Sequence, residues 1–140
     1  MSQINPNFTV EILQSVSKNT MAEHLGIEFL EIGKDYITAK MPVDHRTQQP
    51  FGLLHGGASV VLAETLASIA ATGCINNESQ VAMGMEVNAN HIRGVRSGYV
   101  IGKATPIHVG KKTHVWKVKV TNEENELVCI SRLTLVVVDK

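Results

Sequence analysis

The amino-acid sequence predicts an α+β fold in which a curved antiparallel sheet of about six strands wraps around one long central helix, and three features carry that prediction. First, residues 56–75 place Ala58, Val60, Val61, Leu62, Ala63, Leu66, Ala67, Ile69, Ala70 and Ala71 on every side of a helical wheel, and a helix apolar all round is expected to be buried all round. Second, the sequence after Asn77 turns to period two, the spacing of strands. Third, the order helix, two strands, long helix, four strands contains no repeated strand-helix-strand alternation, which favours an antiparallel sheet. One helix cannot cover a flat sheet of this size. The sheet is therefore expected to curl around the helix and to leave apolar surface for a partner subunit.

Taken in order, Val10, Ile12, Leu13 and Val16 recur at near-helical spacing over residues 9–18, with Asn7 or Thr9 available as N-cap. Residues 26–30 and 36–41 read as strands joined by a turn at Gly33-Lys34. Residues 42–54 hold two prolines and read as a loop. The central helix follows over 56–75, and seventeen residues of it would run about 25 Å. Val81, Met83, Met85, Val87 and Ala89 then mark one face of a long strand. Residues 99–108 and 113–121 give two more, the latter with His114, Trp116, Val118 and Val120 on one face and Lys117 and Lys119 on the other. A turn over 122–125 leads to residues 127–138, apolar on both faces and so placed inside the sheet.

The 140 residues are expected to form one domain, residues 1–140, large enough to bury a core without disulfide or metal support. With 44% apolar and 19% charged residues the chain has ordinary globular composition. Thirteen basic and thirteen acidic side chains cancel, so no global field recommends nucleic acid or an anionic membrane as a partner. Cys74 and Cys129 are too far apart for a Cys-x-x-Cys pattern and read as two buried thiols. Residues 1–10 lack the basic patch and apolar run of a secretory signal, and the apolar stretches break before the ~18 residues needed to cross a bilayer. A cytoplasmic address is expected. The six histidines form no His-x-x-x-His or His-x-His pair, so no metal site is expected. No Gly-x-Ser-x-Gly elbow is present either, which disfavours a serine hydrolase.

Glu64 is the only charged residue between Gly56 and Asn77, in the middle of the apolar helix. Desolvating a carboxylate is costly unless it is paired. Glu64 therefore either bonds a polar group across an interface, or rotates to water, or serves as a general base or nucleophile in a helix-lined pocket. Ser68, one turn on, shares its face and could hold a water beside it. Before the helix, Gly56 and Gly57 let a substrate approach backbone N–H groups at the positive end of the helix dipole, which is the geometry of an oxyanion hole. A Gly-Gly N-terminus serving only helix entry is the alternative. His55 is open to three roles: a solvated loop residue, a cap, or a proton donor near a leaving group.

The run Gln49-Pro50-Phe51-Gly52-Leu53-Leu54-His55-Gly56-Gly57-Ala58-Ser59-Val60-Val61-Leu62-Ala63-Glu64, followed by Ser68, resembles the hotdog-fold thioesterases of the Arthrobacter-type 4-hydroxybenzoyl-CoA thioesterase and PaaI-like group. The nearest likeness is to enterobacterial members acting on 1,4-dihydroxy-2-naphthoyl-CoA or on misacylated aryl carrier protein. Met41-Pro42-Val43-Asp44, Val87-Asn88-Ala89-Asn90-His91, His108-Val109-Gly110 and Ser131-Arg132-Leu133 extend the resemblance over nearly the whole chain. It implies a thioesterase acting on acyl- or aroyl-CoA, or on an acyl carrier protein, with no cofactor beyond the coenzyme A of the substrate. It also implies a homodimer with two interfacial sites, assembling further into a homotetramer.

Carried over by position, Glu64 would be the base or nucleophile, and Gln49 with the Gly56 N–H would polarise the thioester carbonyl from the other subunit. Ser68 would orient water, and His55 would sit near the sulfur. His91, Arg93, Gly110, Lys111 and Lys112 would contact the nucleotide. Phe51, Leu54 and Met83 are candidate acyl-pocket walls, against an ordinary reading of core packing. A hotdog hydratase or dehydratase is the competing enzyme, although the Asp-x-Asn-x-x-His type of loop is absent. A non-catalytic acyl-CoA or acyl-carrier binding module is the competing non-enzyme.

Overall fold

A computed structural model describes residues 3–140. Helix α1 (Val10–Val16) starts where Thr9 Oγ1 accepts the Ile12 N–H at 3.2 Å, which makes Thr9 rather than Asn7 the N-cap. A short helix α2 (Met21–His24), not expected from the sequence, turns the chain toward the sheet. Strands β1 (Glu28–Ile32) and β2 (Ile37–Pro42) form the expected hairpin. Helix α3 (Gly56–Thr72) is followed by β3 (Gln80–His91), β4 (Tyr99–Val109), β5 (Thr113–Thr121) and β6 (Leu127–Asp139). All six strands join one antiparallel sheet in the order β1-β2-β4-β5-β6-β3. The turn before β6 is built by Asn122, whose Oδ1 accepts the N–H groups of Glu124 and Glu126, and by Asn125 in the left-handed region at φ 61°.

Helix α3 packs against β2, β3, β4, β5 and β6, so the sheet wraps it as expected. Its buried face carries Leu62, Ala63, Leu66, Ala67, Ala70 and Ala71. The alanines keep that face narrow enough for the helix to lie close on Trp116, Val118, Leu133 and Leu135. The helix is three residues shorter than expected. After the Gly73 C-cap, the Cys74 and Ile75 N–H groups bond back three residues to Ala71 and Thr72, tightening the chain out of the α-helix.

Burial all round was also too strong an expectation. Gly57 and Glu64 are exposed, and Val60, Val61, Thr65, Ser68 and Ile69 are only half-buried, because the sheet leaves one side of the helix open in the single chain. Cys129 is buried, and burial pushes its thiol pKa up; Cys74 is only half-buried.

The alternation in β3 also needs correction. A register shift between Gly84 and Glu86 makes Met85 an extra residue in the ladder with β6. Val81 and Met83 pair with Val138 and Val136, whereas Val87 and Ala89 pair with Leu133 and Ser131 of the buried face. Paired residues of an antiparallel ladder share a face. The bulge therefore transfers the apolar set from the outer face to the inner one midway along the strand. β3 lies at the end of the sheet, and Val81, Met83 and Met85 on it are exposed.

Candidate active site

The loop before α3 is held in place by backbone groups. Thr47 Oγ1 donates to the Pro42 carbonyl at 2.7 Å, the His55 N–H to the Thr47 carbonyl at 2.8 Å, and the Leu54 N–H to the Val95 carbonyl at 2.8 Å. Arg46 grips Asp44 through two guanidinium nitrogens and a backbone N–H, which lowers the Asp44 pKa to about 2. Residues Pro50, Phe51 and Gly52 form a tight turn closed by Gly52 N–H to Gln49 O at 2.9 Å and by Gln49 N–H to Leu53 O at 2.8 Å. Proline suits the second position of this turn, and Gly52 takes the left-handed value φ 77° that a side chain would resist.

This turn orients Gln49. Its Oε1 accepts the Phe51 N–H. The amide nitrogen, a double donor, is thereby left for a ligand. His55 is the N-cap of α3: its Nδ1 accepts the Gly57 N–H at 2.8 Å, which in the neutral ring puts the proton on Nε2. Of the three roles open from the sequence, the cap is the one seen in the single chain. The Ala58 and Ser59 N–H groups turn back to the His55 carbonyl. Among the described residues, the Gly56 N–H has no acceptor. A lone amide at the positive end of a seventeen-residue helix is a preorganised donor for a developing oxyanion.

A cavity of about 320 Å³ opens beside that amide, lined by Gln49, Leu54, Gly56, Ser59, His91 and Arg93 among others. His91, at the end of β3, packs so closely over Gly56 that a Cβ there would sit 2.8 Å from its Nε2. A side chain at this position would displace the imidazole from the mouth of the cavity. Arg93 lines the same cavity and pairs with Glu126 at 3.2 Å.

Glu64 lies two turns beyond Gly56, about 12 Å along the helix axis, and is not among the residues lining that cavity. Its carboxylate is exposed and, among the described residues, makes no hydrogen bond or ion pair. It stands close to β3: a Cβ on Gly84 would lie 2.7 Å from Glu64 Oε1. This glycine is not among the candidates above, although glycine within a strand is a signal of close approach. Ser68, half-buried one turn on, receives the Thr72 hydroxyl on its carbonyl and keeps its own hydroxyl uncommitted among the described residues.

The remaining candidates are dispersed. Gly110 and Lys111 line a separate cavity of about 400 Å³ with Cys74, Asn76, Gln80 and His114, at the far end of α3 from Gly56, and Lys112 is exposed in the same turn. Phe51 is 82% exposed, which rules out core packing for it in the single chain. Leu54 is both core and cavity wall. Met83 is exposed, and its register with Val136 sets it on the sheet face away from α3. Within one chain, then, Gln49, His55, Gly56, His91 and Arg93 gather at one end of the helix. Glu64 and Ser68 lie mid-helix, and Gly110, Lys111 and Lys112 lie at the other end.

Comparison with known proteins adds an independent finding. Residues 51–129 match the family model described as the thioesterase superfamily. The chain is 48% identical over 126 residues to the 1,4-dihydroxy-2-naphthoyl-CoA hydrolase of Escherichia coli, covering 90% of this chain and 92% of that protein. It is 44% identical over 131 residues to the proofreading thioesterase EntH of Cronobacter turicensis, covering 94% and 95%. Among solved structures, a thioesterase from Haemophilus influenzae superposes with a TM-score of 0.93 at 49% identity over 97% of this chain and 94% of that one. A mutant thioesterase from Pseudomonas aeruginosa superposes with a TM-score of 0.96 at 46% identity over 98% and 99%.

Proposed function

The chain belongs to the thioesterase superfamily and has its hotdog fold, and from that premise we propose that it hydrolyses acyl- or aroyl-coenzyme A thioesters to the free acid and coenzyme A, with Glu64 as the catalytic carboxylate. The observation that carries this reading is the pair of uncommitted groups on α3: the Gly56 amide, which can bind an oxyanion, and the Glu64 carboxylate, which can activate a nucleophile.

At about 12 Å apart along one helix, these two groups cannot serve a single carbonyl from the same chain, so the reading requires two protomers. The free margin of β3, with its exposed Val81, Met83 and Met85, supports an antiparallel union of two β3 strands about a two-fold axis. Because β3 runs from the Gln80 end of the molecule to the His91 end, such a union brings the cavity beside Gly56 toward the partner's mid-helix and toward the partner's Gly110 to Lys112 turn. The three dispersed groups of candidates then meet in one cleft.

In that cleft the Gly56 N–H and the Gln49 amide nitrogen grip the thioester oxygen and stabilise the charge that develops on it. The partner's Glu64 either takes a proton from a water held by the partner's Ser68, or attacks the carbonyl carbon itself. In the first route the hydroxide adds to the carbonyl carbon, the carbon–sulfur bond breaks, and the thiolate takes back the proton held by Glu64. In the second the carbon–sulfur bond breaks as an anhydride forms on Glu64, and water then hydrolyses the anhydride, freeing the acid and supplying the proton that the thiolate takes. His91, Arg93, Lys111 and Lys112 supply cationic and hydrogen-bonding groups suited to the phosphates of coenzyme A. The names of the relatives, a 1,4-dihydroxy-2-naphthoyl-CoA hydrolase and a proofreading thioesterase, support an aroyl group, on coenzyme A or on a carrier protein.

Release of free thiol from a panel of acyl- and aroyl-CoA thioesters tests the proposal. The wild type is expected to turn over at least one of them, and Glu64→Gln to lose about 10² to 10⁴ in kcat with an unchanged circular dichroism spectrum. Saturable binding with no thiol release would instead make the chain a binding module. A single turnover in ¹⁸O water separates the two roles of Glu64, since label enters the enzyme carboxylate only if Glu64 is the nucleophile.

A further inference from the structure

We propose that Gly84 of β3 is a positioning residue for the Glu64 carboxylate: by carrying no side chain, it leaves the berth from which that carboxylate acts. The proposal rests on the role given to Glu64 above. A Cβ on Gly84 would lie 2.7 Å from Glu64 Oε1 and 3.8 Å from its Cδ, and no other atom comes within 4 Å. Backbone conformation does not demand glycine here, because Gly84 is not among the glycines with positive φ, which are Gly26, Gly52 and Gly98. The neighbouring residues on the same rung of the inner face, Leu135 and His114, both carry large buried side chains. A glycine in a strand interior weakens the strand and leaves a gap in the face, and the carboxylate of Glu64 stands beside that gap. The register shift that follows, with Met85 as the extra residue, is where the strand changes the face it presents.

The obstructed atom is the end of a flexible side chain, so a methyl group at Gly84 would be accommodated by turning the carboxylate aside while the backbone stays in place. Alanine also suits a strand better than glycine. Stability and catalysis are therefore expected to respond in opposite directions, which a merely structural glycine would not produce.

The test is a double-mutant cycle with Glu64→Asp, whose carboxylate, one methylene shorter, withdraws from Gly84. Gly84→Ala is expected to keep or raise Tm, to lower kcat by about 10², and to change KM by no more than a few-fold. In the Glu64→Asp background the same alanine is expected to cost less than about three-fold, because the clash has been removed. Wild-type kcat for Gly84→Ala would overturn the proposal. So would an equal loss in both backgrounds, or a fall in Tm that accompanies the loss of rate. If Glu64→Gln is inactive while Gly84→Ala is fully active, this proposal alone falls; if Glu64→Gln is fully active, the catalytic role of Glu64 falls and the positioning role with it.

Discussion

His55 shows how one side chain serves the helix before it serves any chemistry. Its Nδ1 is committed to the Gly57 N–H at 2.8 Å, closing the first turn of α3. Removing that bond in His55→Ala is expected to cost about 1 kcal/mol of stability, the usual worth of an N-cap, read as a lower midpoint in urea. His55→Asn restores an N-cap acceptor. If activity returns with stability in the asparagine variant, the histidine is a cap alone; if stability returns and kcat does not, its Nε2 also acts on the leaving group. At this scale the sequence was informative where a residue contradicted its surroundings. Glu64 was conspicuous as a lone acid in an apolar helix, and Gly56 as a glycine at a helix start. Phe51 gave no such signal, since its 82% exposure depends on a three-residue turn that lifts it off the protein. Gly84 signalled a close approach but not its partner, because the side chain beside it lies twenty residues earlier.

Among the elements, β5 was legible to the residue, from Thr113 to Thr121, because its two faces differ sharply in polarity. β3 was legible in extent but not in facing, because one inserted residue inverts the phase of everything beyond it and a linear pattern does not mark the insertion. α2 was too short to show a period.

The inner face of β5 also carries a titratable group. His114 is 1% exposed, its Nδ1 has no partner among the described residues, and burial pushes its pKa below the ordinary 6.5, with nearby His108 adding to the effect. The folded state then binds fewer protons than the unfolded one between that lowered value and 6.5. This contribution to stability is complete above pH 6.5 and is lost as pH falls through the window below it. His114→Gln, which cannot be protonated, is expected to flatten the decline of Tm on the acid side of pH 6.5, measured by thermal unfolding at a series of pH values; an unchanged slope would contradict the assignment.

For the whole molecule, the decisive property is that the candidate groups lie at three places, beside the start of α3, at its middle and beside its far end. Composition and period disclosed the helix and the sheet, yet neither gives the spacing between these groups on which the proposal of a two-chain cleft rests. Mixing protomers tests it. Gln49→Ala and Glu64→Gln are each expected to be inactive alone. After co-refolding they are expected to recover about a quarter of wild-type activity, since half of the dimers are mixed and each of these holds one intact site. No recovery in a verified mixed dimer would place Gln49 and Glu64 in the same site from the same chain.

The unpaired border of β3 also makes catalysis a matter of how much protein is in the tube. If the cleft exists only while two backbones are zipped along that border, the rate per milligram will fall as the stock is diluted, and it will recover when inactive protein able to lend a border is added. A substitution that breaks the zipper would then silence the enzyme without touching any group that meets the substrate.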